Sequence, residues 1–201
     1  MPEMTAKNKE LWGLVLAGGL SRRMGRDKGE IIYHQKPQRE HMADLLSQVC
    51  AKVFISCRPD QVDTLSTQYP FIVDSFLNIG PMGGLLSAME AFPHHAWLLV
   101  ACDMPLLNEA TLRQLVESRS VSCGVTAFLN PIDDQPEPMT SIWESSTEDL
   151  LFSFYEQEEV SLRKIIRQIE SNLVIAEDPT TLLNINTNEE WRRAIENKWR
   201  V

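Results

Sequence analysis

Four positive charges fall within seven residues: Arg22, Arg23, Arg26 and Lys28, in the stretch LVLAGGLSRRMGRDKG at residues 14–29. One acid, Asp27, stands among them, and the pair Gly18-Gly19 precedes them. Glycines let a ligand approach backbone N–H groups closely. Arginine and lysine side chains supply the charge that a polyphosphate needs. Together they point to a phosphate site, against the competing reading of a solvated basic loop. The loop is not a Walker A motif, which requires G-x-x-x-x-G-K-[ST], because Gly25 is followed by Arg26-Asp27-Lys28. It does not match the G-x-G-x-x-G dinucleotide fingerprint either. A second chemical group stands far along the chain. Asp103 follows the apolar run Trp97 to Cys102, and an acid at a strand's carboxyl end suits Mg²⁺, which takes one or two carboxylates plus phosphate oxygens and water. A turn or helix cap ahead of Pro105 is the other reading of Asp103.

These groups need elements to hold them. The chain has 201 residues, 43% of them hydrophobic, enough for a sizeable core in one domain. Residues 1–10 read as a polar tail and 11–201 as a single domain. The net charge of −9 argues against general binding to nucleic acid or an anionic membrane, so a basic loop in this chain suggests one specific anion. No apolar run approaches the roughly 20 residues that cross a bilayer, and the start MPEMTAKNKE lacks a signal-peptide core. A cytosolic protein is expected. Cys50, Cys57, Cys102 and Cys123 form no C-x-x-C pair and read as free thiols rather than zinc ligands or a disulfide framework.

Leu11 to Leu16 reads as a buried strand ended by glycines, and residues 38–50 as a helix with Met42, Leu45, Leu46 and Val49 on one face. Strands follow at 52–56 and 71–73. Pro81-Met82-Gly83-Gly84 reads as a break before a helix at 85–91. The run 97–102, apolar throughout, suits a strand covered on both faces. Asn108 caps a helix to about residue 119, and 121–128 is a strand. Residues 130–139, with three prolines and three acids, read as a loop. Helices are expected at 146–155 and 161–170, and short strands at 173–176 and 183–185. Thr187 and Glu190 fit a capping box for a last helix. The alternation indicates an α/β fold with a doubly wound, mostly parallel sheet. Ligands bind such sheets beyond the carboxyl ends of strands, and the 17–29 loop, residues 56–58 and residues 101–103 all fall at such ends.

LAGGLSRRMGRDKG, GPMGG, ACDMP, EPM and NINTNEEW occur in this order over nearly the whole chain. In them the sequence resembles the molybdenum cofactor guanylyltransferase family, within the wider group of Rossmann-like nucleotidyltransferases. The first motif marks the wide group, and the final N-x-N-T narrows it towards molybdopterin enzymes. The resemblance implies transfer of GMP from GTP to molybdopterin with release of pyrophosphate, Mg²⁺ as cofactor, and transient contact with enzymes that deliver or receive the molybdenum cofactor. By motif, Leu16, Ala17, Gly18 and Gly19 would contact the nucleotide, Arg23 and Lys28 its phosphates, and Asp103 both Mg²⁺ and the nucleotide. Asp74 would help hold the nucleoside. Gly83, Gly84, Asn184 and Asn186 would lie on the acceptor side. Arg23, Lys28 and Asp103 are the expected catalytic set.

The sequence also departs from the family pattern. Ser56 stands where relatives carry a nucleotide-contacting Asn, which weakens the inference of guanine preference. Gln35 replaces a turn glycine, Gly83 an alanine, Asn188 a proline, and Glu137-Pro138 the His-Pro of some relatives. Arg163 and Lys164, on an expected helix, read either as a solvated face or as partners of the acceptor phosphate. The four histidines read as surface residues, and the five tryptophans as packing. Three alternatives stay open: a CTP-dependent molybdopterin cytidylyltransferase, a sugar-phosphate nucleotidyltransferase, and a nucleotide-binding module without catalysis.

Overall fold

A computed structural model of the chain describes residues 11–19, 28–130, 133–185, 189–190 and 192. Alternating burial along the strands makes three layers. In β1 (Leu11–Leu16), Leu11 and Val15 face one side of the sheet while Trp12 and Leu14 face the other; in β4 (Ala96–Ala101), Leu98 and Val100 oppose Trp97 and Leu99. Side chains alternate across a strand, so each run supplies two cores at once. One core packs under α1 (Gln38–Ser47) and α3 (Glu109–Glu117). The other packs under α2 (Pro81–Ala91), α4 (Glu148–Glu156) and α5 (Leu162–Ile166).

The remaining strands are β2 (Lys52–Cys57), β3 (Phe71–Val73), β5 (Val125–Asn130), β6 (Gln135–Trp143) and β7 (Ser171–Ile175). The sheet order is β3-β2-β1-β4-β6-β5-β7, and all neighbours run parallel except β6, which is antiparallel to β4 and β5. The chain winds outwards from β1 to β3, then returns to place β4 on the other side of β1. The switch point therefore lies between β1 and β4, where a doubly wound sheet opens a ligand crevice. No helix among the described residues is long and apolar enough to cross a membrane.

The structure corrects the sequence reading in four places. Residues 135–143, read as the end of a loop, are the nine-residue strand β6. Its pairing with β5 shifts between Ala127, opposite Ser141, and Phe128, opposite Glu137. Pro138, which has no N–H to donate, falls in the skipped stretch, where a bulge tolerates it. Residues 81–84 are not a break but the first turn of α2, with Pro81 at its opening and Gly80 at φ 70° before it; proline suits that position because its missing N–H has no partner there anyway. Residues 183–185 form no strand; a 3-10 turn, Pro179–Leu182, precedes them. The strand expected from 121 begins at Val125, after a bend with Val121 exposed. The capping pair at 187–190 lies partly outside the described residues, since Thr187 is not among them. Asn108 does cap α3, accepting the Thr111 N–H at 3.0 Å. The four cysteines are free thiols, three of them buried. Trp12, Trp97 and Trp143 are buried, and the first two meet edge to face at 5.6 Å. His34 and His41 stack at 4.0 Å rather than standing apart at the surface, and burial with the neighbouring His34 lowers the His41 pKa to about 4.

Candidate active site

At the switch point a cleft of about 660 Å³ opens over the carboxyl ends of β1, β2 and β4. Leu16, Ala17, Gly18 and Gly19 form its β1 edge, Ser56 and Asp74 its β2–β3 side, and Asp103 its β4 side. Gly80, Pro81 and Gly84 bring the N-terminus of α2 to the same space. A helix N-terminus offers unpaired N–H groups and the positive end of the dipole, both suited to an anion.

Close packing explains why particular residues stand here. A Cβ on Gly18 would fall on Asp74 Oδ2, so the bare backbone lets the carboxylate lie against the loop. A Cβ on Gly84 would meet Ser56 Oγ at 2.6 Å and Leu16 Cδ2 at 2.7 Å. A Cβ on Gly83 would run into the carbonyl oxygen of Phe76. Gly83, the first glycine of the pair and the one that stands where relatives carry alanine, therefore does not loosen a turn; it is what allows α2 to seat against the 74–79 segment. Ser87 Oγ fastens the same contact, donating to Gly83 O at 2.7 Å and accepting the Ser75 N–H at 2.9 Å.

Ser56 Oγ donates to Asp74 Oδ1 at 2.7 Å, and the Asp74 N–H holds Cys57 O at 2.8 Å. Burial pushes the Asp74 carboxyl up to about 6, against the opposing pull of the Ser56 hydroxyl and the Arg58 guanidinium. Ser56, the departure from the family pattern, thus has its hydroxyl committed to orienting Asp74.

On the other side of β4, Glu137 is buried on β6; its Oε1 accepts the Met139 N–H at 2.9 Å and its Oε2 lies 3.8 Å from Arg163. Burial raises the pKa of Glu137; the Met139 N–H and Arg163 lower it, and Asp103 adds to the rise. The β6 bulge carries Met139 into the cleft. Arg163 also pairs with Asp133, and Lys164 with Glu159, so the two cations on α5 hold protein carboxylates.

The structure thus brings Leu16, Ala17, Gly18, Gly19, Ser56, Asp74, Gly84 and Asp103 to one cleft. Gly83 sits one residue behind it, in α2. Asn184 is exposed and outside the cleft lining, but the next residue, Ile185, donates its N–H to Asp103 O at 2.7 Å. Lys28 opens a short 3-10 turn, Lys28–Glu30, beside the cleft residue Gly29. The Lys28 side chain, Arg22, Arg23, Arg26 and Asn186 lie outside the described part of the chain. No group of three His, Cys, Asp or Glu side chains able to hold a metal occurs among the described residues. Asp103, a carboxylate in the cleft wall at the end of β4, is a hard oxygen donor of the kind Mg²⁺ takes together with phosphate oxygens.

Sequence reasoning missed Arg58, Asp60 and Gln61. Residues 56–58 stand out only as a strand end, and nothing local marks the polar residues after it as contacts of a loop 40 positions earlier.

With this geometry in place, comparison with known proteins decides the family. A model described as MobA-like NTP transferase domain matches residues 13–173. This chain belongs to that family. The MobA-like relatives include a molybdenum cofactor guanylyltransferase of Xanthomonas euvesicatoria, 32% identical over 91% of this chain and 93% of its own length. A molybdenum cofactor biosynthesis bifunctional protein of Synechocystis is 32% identical over 90% of this chain, which spans 52% of that longer protein. Among solved structures, a molybdopterin-guanine dinucleotide biosynthesis protein A of Archaeoglobus fulgidus shares the MobA-like fold with a TM-score of 0.76. It has 23% identity, and the match covers 94% of this chain and all of the other. The α/β, mostly parallel sheet expected from sequence is the one observed.

Proposed function

We propose that this nucleotidyltransferase carries GMP from GTP to molybdopterin, releasing pyrophosphate and forming molybdopterin guanine dinucleotide, with Mg²⁺ as its metal. One observation carries the reading: the glycine loop of β1 and the acid that ends β4 meet at a single cleft at the switch point. The full-length relative named a guanylyltransferase supports the choice of base.

In the reaction, an oxygen of the acceptor's terminal phosphate attacks the α-phosphorus of GTP. The bond from that phosphorus to the β-phosphate oxygen breaks, and pyrophosphate leaves with the electron pair. No protein nucleophile is required, so catalysis is positioning and electrostatics. Ala17, Gly18 and Gly19 cradle the phosphates, and Arg23 and Lys28 offset the repulsion between two anionic substrates. Asp74, oriented by Ser56, holds the nucleoside. Asp103 is the carboxylate that would hold Mg²⁺; bound there, the ion supplies positive charge to the triphosphate and to the departing pyrophosphate. Gly83 and Gly84 seat α2, and Asn184 and Asn186 serve the acceptor side. The enzyme works in the cytosol, in transient contact with the proteins that supply molybdopterin or take the product.

A thermal-shift panel of GTP, CTP, ATP and UTP, each with and without Mg²⁺, tests the nucleotide half. Ligand at 100 times its dissociation constant stabilises by about 2.7 kcal/mol. A Mg²⁺-dependent rise with GTP alone is expected; a rise with CTP alone would change the product to a cytosine dinucleotide and overturn the base assignment.

A further inference from the structure

The carbonyl groups of Ala17, Gly18 and Gly19, the described start of the β1 loop, are each held by a side chain from the turn that follows β2. Arg58 Nη1 donates to Gly18 O at 2.8 Å and to Gly19 O at 3.3 Å. Gln61 Nε2 donates to Ala17 O at 3.2 Å. The two side chains are themselves braced. Asp60 takes the other edge of the guanidinium, with Arg58 Nε to Oδ1 at 2.9 Å and Nη2 to Oδ2 at 3.1 Å. Gln61 Oε1 accepts the Arg58 backbone N–H at 2.8 Å. Pro59 sits inside this turn, a 3-10 helix at Pro59–Gln61, and fixes its backbone. Gln61 is 6% exposed and is not part of the cleft wall.

Carbonyl oxygens repel phosphate, and a glycine pair has no side chains to keep them turned aside. In a planar trans peptide the C=O of one residue and the N–H of the next point in opposite directions. Holding the carbonyls of Ala17 and Gly18 towards the 58–61 turn therefore directs the N–H groups of Gly18 and Gly19 away from it. We infer that Arg58 and Gln61 are positioning residues for phosphate binding: they staple the β1 loop from its β2 side in its anion-accepting orientation, Gln61 behind the cleft and Arg58 at its wall, with Asp60 keeping the Arg58 guanidinium in place. The staple removes an ordering cost that a free glycine loop would meet on binding. The inference rests on the reading that this loop holds the nucleotide's phosphates.

The test uses the full chain and two probes, GTP with Mg²⁺ and inorganic pyrophosphate, with dissociation constants measured well below the melting temperature of each variant. Gln61→Leu keeps the size of the side chain and removes its donor. Gln61→Glu keeps an acceptor for the Arg58 N–H while losing the bond to Ala17 O, and serves if the first variant does not fold. Each is expected to weaken both probes by about tenfold, because the loss lies in the phosphate cradle. Arg58→Met should do the same, Arg58→Lys should recover part of the loss, and Arg58→Met with Gln61→Leu should fall well short of the product of the single effects, as for residues acting as one unit. A purely structural role would lower the melting temperature and leave both constants within about twofold of the wild type; that result overturns the inference. Wild-type protein that binds neither probe refutes the phosphate reading itself, and the staple with it.

Discussion

Asp74→Asn probes the most unusual charge in the cleft. Asp74 is 9% exposed, and burial lifts its carboxyl pKa from 3.8 to about 6. An acid whose pKa is higher in the folded chain holds its proton more tightly there than in the unfolded chain. Its contribution is neutral below about pH 4, and stability falls as the pH rises from about 4 through about 6, with the whole cost present above that. The gap between 3.8 and about 6 corresponds to about 3 kcal/mol at roughly 1.4 kcal/mol per pH unit. Asparagine keeps an acceptor for the Ser56 hydroxyl and carries no charge. At pH 8 the variant should be more stable than the wild type by up to about 3 kcal/mol, or some 6–12 °C for a chain of this size. Near pH 4 the advantage should vanish. Urea unfolding at pH 4, 6 and 8 reads the effect directly. The same variant should bind GTP more weakly at pH 8, the exchange of function for stability expected where a buried charge serves a ligand. A stability difference that does not change between pH 4 and 8 would refute the reasoning.

Asp103→Ala should leave a folded protein with GTP turnover reduced by at least about 10²-fold, read as pyrophosphate release, since it removes the metal-holding carboxylate. Gly83→Ala should cost about 1–3 kcal/mol, measured by urea unfolding, because its methyl group would press on the Phe76 carbonyl, a backbone group, and on Ile79 Cγ1 at 3.3 Å. Gly84→Ala presses instead on Ser56 Oγ and Leu16 Cδ2 and should raise the KM for GTP as well as lower stability. The buried pair Arg119–Glu144, at 2.7 Å and 4% side-chain exposure on each partner, should lose about 3–5 kcal/mol when Arg119 alone is replaced by Met, seen as a fall in melting temperature.

The parallel half of the sheet was readable because its strands are uninterrupted apolar runs. Leu11–Leu16 and Ala96–Ala101 announce burial on both faces, and the glycines and Asp103 that follow them mark the ends where a ligand site forms. The antiparallel insertion was not readable. Gln135–Trp143 opens with two prolines and a buried acid, a composition that reads as loop until β4 and β5 pair with it. Long-range pairing and a bulge overrode local preference there. The helical start at Pro81 was hidden for a related reason. Two glycines look like a break, whereas here they permit close approach, and only the positions of Phe76 and Ser56 reveal it. The β1 loop and Asp103 were legible from residue type and spacing, whereas Asp74 followed only from the family resemblance and Asp60 was not foreseen. Arg58 and Gln61 were not legible, because their importance lies in which carbonyls they reach 40 or so positions away.

The most direct test of guanylyl transfer is a turnover assay with purified enzyme, Mg²⁺, molybdopterin and each nucleoside triphosphate in turn, following pyrophosphate and the dinucleotide product together. Pyrophosphate and molybdopterin guanine dinucleotide should appear in equal amounts, only when GTP and molybdopterin are both present, and not with Asp103→Ala. Equal turnover with a hexose phosphate in place of molybdopterin, or product formed from CTP but not from GTP, would contradict it.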